Sequence, residues 1–328
     1  MLHRRHLHLD GLRLAYLEKG SPSPEAPSLV LLHGLMGTAE TFSPLMQALD
    51  SRQHVVALDF PGSGQSERHP ALDPSLRSTT RTVARFLAAL QLRRPIVLGH
   101  SHGGTVATYL AVTQPDALSS LILFAPAHPY FREGDLLIRF YQSLPGRLLA
   151  HTMPWYPQWV QMMALRRMAG PKSWDTPERL KPYRENLRTA GTIEHLLRLL
   201  AGWQSDMGAL RDLLRTPLAT PVKLVWGDSD RAVPFHSADE LRKHLLVSEF
   251  QILPGVGHRP AEEQPASCAA LIQDWIERIG PESATEPFAP RDYVPAASSP
   301  NSLPIHDRMA AFIPSSFDFG DSTVPAKK

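Results

Sequence analysis

Short, almost wholly apolar runs alternate in this chain with longer stretches whose apolar residues recur every three or four positions. The runs fall at residues 29–32, 55–58, 96–98, 121–124 and 222–226. A strand that is apolar on both sides is covered on both sides, so these runs predict buried parallel strands. Ahead of them, residues 6–9 and 12–17 flank Asp10-Gly11, a pair suited to the positive φ angles of a two-residue hairpin turn. Residues 76–90 are amphipathic, with Val83, Phe86, Leu87 and Leu90 on one face. Residues 105–112 are small and apolar, which suits a helix packed close against a sheet. Strand and helix in alternation predict an α/β fold around a parallel sheet.

The alternation stops after Phe124 and resumes at Val222. The stretch between is rich in Trp, Tyr, Met and Leu, with helical patterning at residues 138–149, 160–168 and 194–200. It carries Trp155, Trp159, Trp174 and Trp203. It reads as a helical cap inserted into a sheet domain. The expected organisation is therefore a core at residues 1–126, a cap at 127–216 and the rest of the core at 217–280. That last part holds a helix at 237–246, a strand at 249–253 and a helix at 262–279. From residue 281 to 328 the character changes, with eight prolines and seven serines in 48 residues and no sustained period. Such a composition buries too little apolar surface to offset its ordering entropy, so a disordered tail is expected, with residues 310–313 and 317–319 as candidate docking runs. There are no internal repeats.

Composition narrows the class further. With 328 residues, 43% of them hydrophobic, the chain can build a large core and an insertion. A formal net charge of +2 gives no general electrostatic case for nucleic acid or an anionic membrane. Cys268 is the single cysteine, so an internal disulfide is excluded and a reducing compartment fits. The basic start, Met1 to Arg5, is followed by His6, His8 and Asp10, which interrupt any signal-peptide core. No run approaches the ~20 apolar residues of a membrane span. The expectation is a cytoplasmic monomer or homodimer.

The chemistry sits where strand 96–98 runs into Gly99-His100-Ser101-His102-Gly103-Gly104 and then a helix. A Gly-x-Ser-x-Gly segment between strand and helix is the context of a nucleophile elbow, with the hydroxyl exposed on a sharp turn. At the helix N-terminus the backbone N–H of His102 can face a developing oxyanion. A serine hydroxyl is too weakly acidic to attack an ester unaided and needs a base, which itself needs an orienting acid. In this kind of sheet the chain order is serine, acid, histidine. Residues 224–234 leave a strand with two carboxylates, Asp228 and Asp230. His258 follows the last strand on a Gly-rich loop. Both loops lie at strand C-terminal ends, on the edge that carries Ser101. His195, His236 and His244 read as helix-face residues. No His-Glu-x-x-His or Cys/His ligand spacing occurs, so neither metal nor cofactor is expected.

With these segments in place the chain resembles the α/β-hydrolase superfamily over roughly residues 3–280. The matching landmarks are His33-Gly34-Leu35-Met36-Gly37, residues 59–66 (Asp-Phe-Pro-Gly-Ser-Gly-Gln-Ser), Gly99 to Gly104, Gly227 to Pro234 and Gly257-His258. The resemblance implies a mostly parallel eight-stranded sheet flanked by helices, with a helical cap. It implies Asp230 rather than Asp228 as the acid, the N–H of Leu35 as a second oxyanion donor, and structural duties for His33 and Asp59 beside the site. The serine sets the chain apart from related epoxide hydrolases and haloalkane dehalogenases, which carry aspartate at the elbow. The implied activity is hydrolysis of a small acyl substrate, most simply a carboxylic ester, through Ser101, His258 and Asp230. The competing activities are carbon–carbon bond hydrolysis, with Arg188 and Trp203 holding a substrate carboxylate and ring, and amide or N-terminal peptide hydrolysis. A retired scaffold is the alternative without catalysis. Candidate pocket residues are His33, Phe131, Tyr141, Trp155, Trp159 and Trp203, whose rings suit an apolar or aromatic substrate.

Overall fold

The computed structural model describes residues 1–24, 26–131, 134–170 and 176–280. The tail at 281–328 and Trp174 lie outside the described residues. Eight strands form one sheet in the order β1 (His3–Leu9), β2 (Leu12–Lys19), β4 (Val55–Leu58), β3 (Leu29–Leu32), β5 (Ile96–His100), β6 (Ser120–Phe124), β7 (Val222–Gly227), β8 (Glu249–Leu253). The first two strands form the Asp10-Gly11 hairpin, with φ of 53° and 79° at the turn. The hairpin joins β4 antiparallel, and every later pairing is parallel.

Period-two alternation splits each central strand between two cores. Val30, Leu32, Val56, Leu58 and Val97 point to a layer made by α2 (Leu76–Ala89), α3 (His102–Thr113) and α9 (Ala238–Leu245). Leu29, Leu31, Val55, Ala57 and Leu98 point to a layer made by α1 (Ser43–Ala48) and α11 (Pro265–Ile279). The strands read as apolar on both faces because helices cover both faces.

Between β6 and β7 the chain leaves the sheet. It forms α4 (Asp135–Gln142), α5 (Leu144–Thr152), a 3-10 turn (Met153–Trp155), α6 (Gln158–Met168), α7 (Pro177–Arg188) and the long α8 (Thr192–Leu213). The single helix expected at 138–149 is two. Ser143 caps α5 by accepting the Gly146 N–H at 3.3 Å, and Pro145 follows in the first turn, where its missing N–H costs nothing. The single helix expected at 262–279 is also two, α10 (Pro260–Glu263) and α11, because Pro265 opens the second. Among the described residues no helix is long and apolar enough to cross a membrane.

Candidate active site

Ser101 lies between β5 and α3 with φ 52° and ψ −118°, a backbone conformation that an L-residue adopts only when its surroundings impose it. The imposition is visible. The Ser101 N–H donates to Phe124 O at 3.0 Å, and the Ser101 carbonyl accepts from Gly104, Thr105 and Ala127 at 2.9, 3.3 and 3.0 Å. The flanking glycines are required by contact. A Cβ on Gly103 would lie 2.1 Å from Leu32 O, and one on Gly99 would lie 2.4 Å from Gly103 O. The strand, the turn and the helix therefore interlock through backbone alone.

His258 and Asp230 arrive from the loops after β8 and β7. His258 Nδ1 and Asp230 Oδ2 are 2.8 Å apart, with the carboxylate fully buried. The other oxygen, Asp230 Oδ1, accepts from the Ala232 and Val233 N–H groups at 2.8 and 2.9 Å. Fixed at both oxygens, the carboxylate holds the imidazole with Nδ1 inward and Nε2 outward. Asp228 is spent elsewhere, accepting from Gly255 N–H and Ser229 Oγ. His258 N–H donates to Met168 O at 2.8 Å, tying the histidine loop to the end of α6.

His100 has a part that its place in the motif does not announce. Its Nε2 donates to the His258 carbonyl at 2.7 Å, so the elbow and the histidine loop are bonded directly. Burial pushes its pKa down to about 3, helped by the neighbouring His258 charge, and the ring is a neutral donor at ordinary pH. His102 points the other way from the elbow and packs between the rings of Phe60 and Trp203. Burial likewise lowers it to about 3. Its backbone N–H opens α3.

The Gly34–Gly37 turn faces the elbow. It closes through Gly37 N–H to Gly34 O at 3.1 Å, with Met36 at φ 61°. This is the geometry of a type II turn, whose own hydrogen bond leaves the Leu35 N–H unused. His33 braces the turn from behind. Its Nδ1 donates to Gly34 O at 2.8 Å, and its Nε2 accepts from the Phe60 N–H at 3.2 Å and faces Ser63 Oγ at 2.9 Å. Asp59 is equally structural, accepting from Ala39 N–H, Gln65 N–H and Arg4 Nη1 at 2.6, 2.8 and 2.9 Å.

Ser101, His258 and Leu35 line one cavity of about 450 Å³, walled mainly by apolar side chains. Phe131, Tyr141 and Trp203, three of the candidate pocket residues, line it together with Met153, Tyr156, Val160, Leu180 and Val233. Three pocket expectations are corrected. His33 is buried behind the turn and lines a separate, small crevice. Trp155 and Trp159 are 71% and 68% exposed and do not border the cavity. On α6 the inward positions are Val160, Gln161 and Ala164, which turns Trp159 outward. The Arg188 guanidinium lies over one face of the exposed Trp155 ring, 5.4 Å from its centre. Arg188 also donates to Pro154 O at 3.0 Å and is outside the cavity, whereas Arg184, one turn earlier, borders it.

Asn186 was not legible as a site residue. Its amide donates to Met36 O and Gly37 O at 2.9 and 3.3 Å, and its carbonyl accepts from Gly64 N–H and Arg68 Nη2 at 2.9 and 3.0 Å. One buried side chain on α7 thus joins the inserted helices to the turn beside Ser101.

Residues 27–265 match the alpha/beta hydrolase fold family. An uncharacterised hydrolase of Bacillus subtilis, YugF, is 25% identical over 273 residues, covering 83% of this chain and 97% of its own. Human monoacylglycerol lipase ABHD6 is 22% identical over 280 residues, 84% of this chain and 82% of its own. Among solved structures, Cfl2 from Burkholderia cenocepacia superposes with a TM-score of 0.74 at 23% identity, over 84% of this chain and 96% of that one. At that identity the superposition speaks for the fold. Together with the eight-stranded sheet and the long family match, it leads to one statement: the chain belongs to the alpha/beta hydrolase fold family.

Proposed function

We propose that the protein is a serine hydrolase that cleaves carboxylic esters of apolar acyl chains. The observation that carries this reading is the 2.8 Å His258–Asp230 bond on the same apolar cavity as Ser101. Residues 127–216 act as the cap that shapes this cavity. In the first step His258 Nε2 takes the Ser101 proton as Oγ attacks the acyl carbonyl carbon. The tetrahedral oxyanion is held by the N–H groups of Leu35 and His102, each worth about 3–4 kcal/mol in such sites. Asp230 keeps the Nδ1–H tautomer and stabilises the imidazolium. His258 then gives its proton to the leaving alcohol. In the second step it draws a proton from water as the water oxygen attacks the acyl-enzyme, and it returns that proton to Ser101 Oγ as the carboxylic acid leaves. The lipase activity of the human relative accords with an ester substrate, and the largely apolar wall accords with an acyl chain.

A fluorophosphonate probe tests the nucleophile. Labelling of the wild type and none of Ser101→Ala, with both proteins folded, is the expected result. Labelling that persists in Ser101→Ala rejects the assignment. A series of p-nitrophenyl esters of rising chain length tests the substrate class, with kcat/KM expected to rise from acetate towards medium chains. A flat series rejects the apolar acyl pocket.

A further inference from the structure

Nine of the thirteen large apolar side chains that stand exposed among the described residues fall between residues 136 and 163. Exposure on this scale in one stretch of chain is unusual, since single exposed apolar residues are common and clusters are not. The cluster has a helical logic. On α4, Leu136 is 79% exposed and Phe140, one turn on, is exposed as well. On α5, Leu144 and Leu148 repeat the spacing, and on α6 Trp159 and Met163 do so again. These helices use their other faces for the Ser101 cavity, through Ile138, Tyr141, Val160 and Ala164. Leu137 and Leu149 do both: they border the cavity and remain 62% and 40% exposed. A side chain that lines a cavity while two-fifths or more of it is in solvent stands at its rim. The mouth of the cavity therefore opens among the exposed apolar residues.

Charge points to what covers them. Residues 135–168 hold four arginines, Arg139, Arg147, Arg166 and Arg167, against one acid, Asp135. All four arginines are exposed. The whole chain carries only +2, so this local excess is hidden in the total. Exposed Leu, Trp and Arg on the outward faces of these helices match an anionic lipid interface, where apolar and indole side chains enter the headgroup layer and cations meet phosphate. A protein partner would use the same residue types, so the test below carries an outcome that tells the two apart.

We propose that the outer face of α4, α5, the 3-10 turn and α6 docks peripherally on an anionic lipid bilayer and sets the cavity mouth against it. The proposal concerns binding and holds whether or not the bound lipid is hydrolysed. Flotation of the full chain tests it, using phosphatidylcholine vesicles with and without roughly 30% phosphatidylglycerol. The protein is expected to float with the anionic vesicles and to lose most binding as salt rises. Leu136→Glu, Leu148→Glu and Trp159→Glu together should lower partitioning about a hundredfold. Neutralisation of Arg139, Arg147 and Arg167 to glutamine should lower it by about fivefold per residue and remove most of the salt dependence. None of these six residues lines the cavity, so both variants should keep the wild-type melting temperature and turnover of a soluble ester. Absence of flotation, or equal flotation of wild type and variants, overturns the proposal. So does a wild-type dimer that the glutamate variant dissolves, which would make this face a contact between two copies.

Discussion

Replacing Asn186 by alanine removes four hydrogen bonds and leaves Met36 O, Gly37 O and Gly64 N–H to find other partners. A buried polar group stranded in this way costs about 1–3 kcal/mol. Arg68 loses least, because it keeps Thr192 Oγ1, Ser66 O and Gly64 O. The carbonyls of Met36 and Gly37 are adjacent, so one water can serve both. The stability loss should therefore be about 3 kcal/mol rather than the sum of the separate terms. The activity loss has a different origin. Asn186 holds the carbonyl side of the turn that presents the Leu35 N–H. In the proposed mechanism that N–H is an oxyanion donor, worth about 3–4 kcal/mol, and loosening it by a third of that lowers kcat about tenfold. Asn186→Asp separates the two effects. It keeps an acceptor for Gly64 and Arg68 but turns a carboxylate oxygen on two carbonyls, so kcat should fall at least as far while KM stays near wild type. Urea unfolding and initial rates on p-nitrophenyl butyrate read both quantities. A kcat within about twofold of wild type in both variants, with stability reduced, would show that Asn186 braces the fold and leaves the turn where it was.

Two further outcomes follow from the same geometry. Gly103→Ala places a methyl group 2.1 Å from a backbone oxygen that cannot rotate away, so the variant should be destabilised by more than about 3 kcal/mol or recovered only as aggregate; a soluble protein with wild-type unfolding would refute the interlocked elbow. Acid should destabilise the fold earlier than carboxylate titration alone. His100 and His102 are held down to about 3, and His128 and His195 to about 4, chiefly by burial. The folded state keeps all four neutral below 6.5 while the unfolded chain takes up protons there, so stability present above 6.5 is lost as pH falls. Each contributes about 1 kcal/mol of loss between pH 6.5 and 5.5, and an unchanged urea midpoint over that interval would contradict their burial as neutral rings.

The sheet was legible because its cause is local. A run such as Leu29 to Leu32 has only one comfortable environment, between two helical layers, and its limits match the strand as built. Asp230 and His258 are picked out by the loops that follow the last two strands and by the family resemblance, and the closed fold sets their side chains 2.8 Å apart. Helix breaks at Ser143 and Pro265 were written in the sequence but weaker than the apolar period that ran across them. Asn186 had no local signature at all. Its partners at 36, 37 and 64 are more than a hundred residues away, and only the closed fold shows that an exposed-looking helix carries a buried amide. The aromatic residues of the insertion failed for a further reason. Trp159 and Val160 are neighbours in sequence, yet one helical step of 100° decides which faces solvent.

The backbone bonds that hold Ser101 at φ 52° involve its N–H and its carbonyl, and none involves its hydroxyl. The scaffold at this point is therefore indifferent to what it carries. Residues 99 and 103 are fixed by contact, but residue 101 is an interchangeable part, mounted outward on a frame that others complete. In the proposed mechanism Ser101 is the reagent, so Ser101→Cys is expected to keep the wild-type unfolding midpoint while the attacking atom changes. Chemistry and structure are thus separable within five consecutive residues, which gives a protein engineer one position where the reagent can be exchanged and two beside it where nothing can.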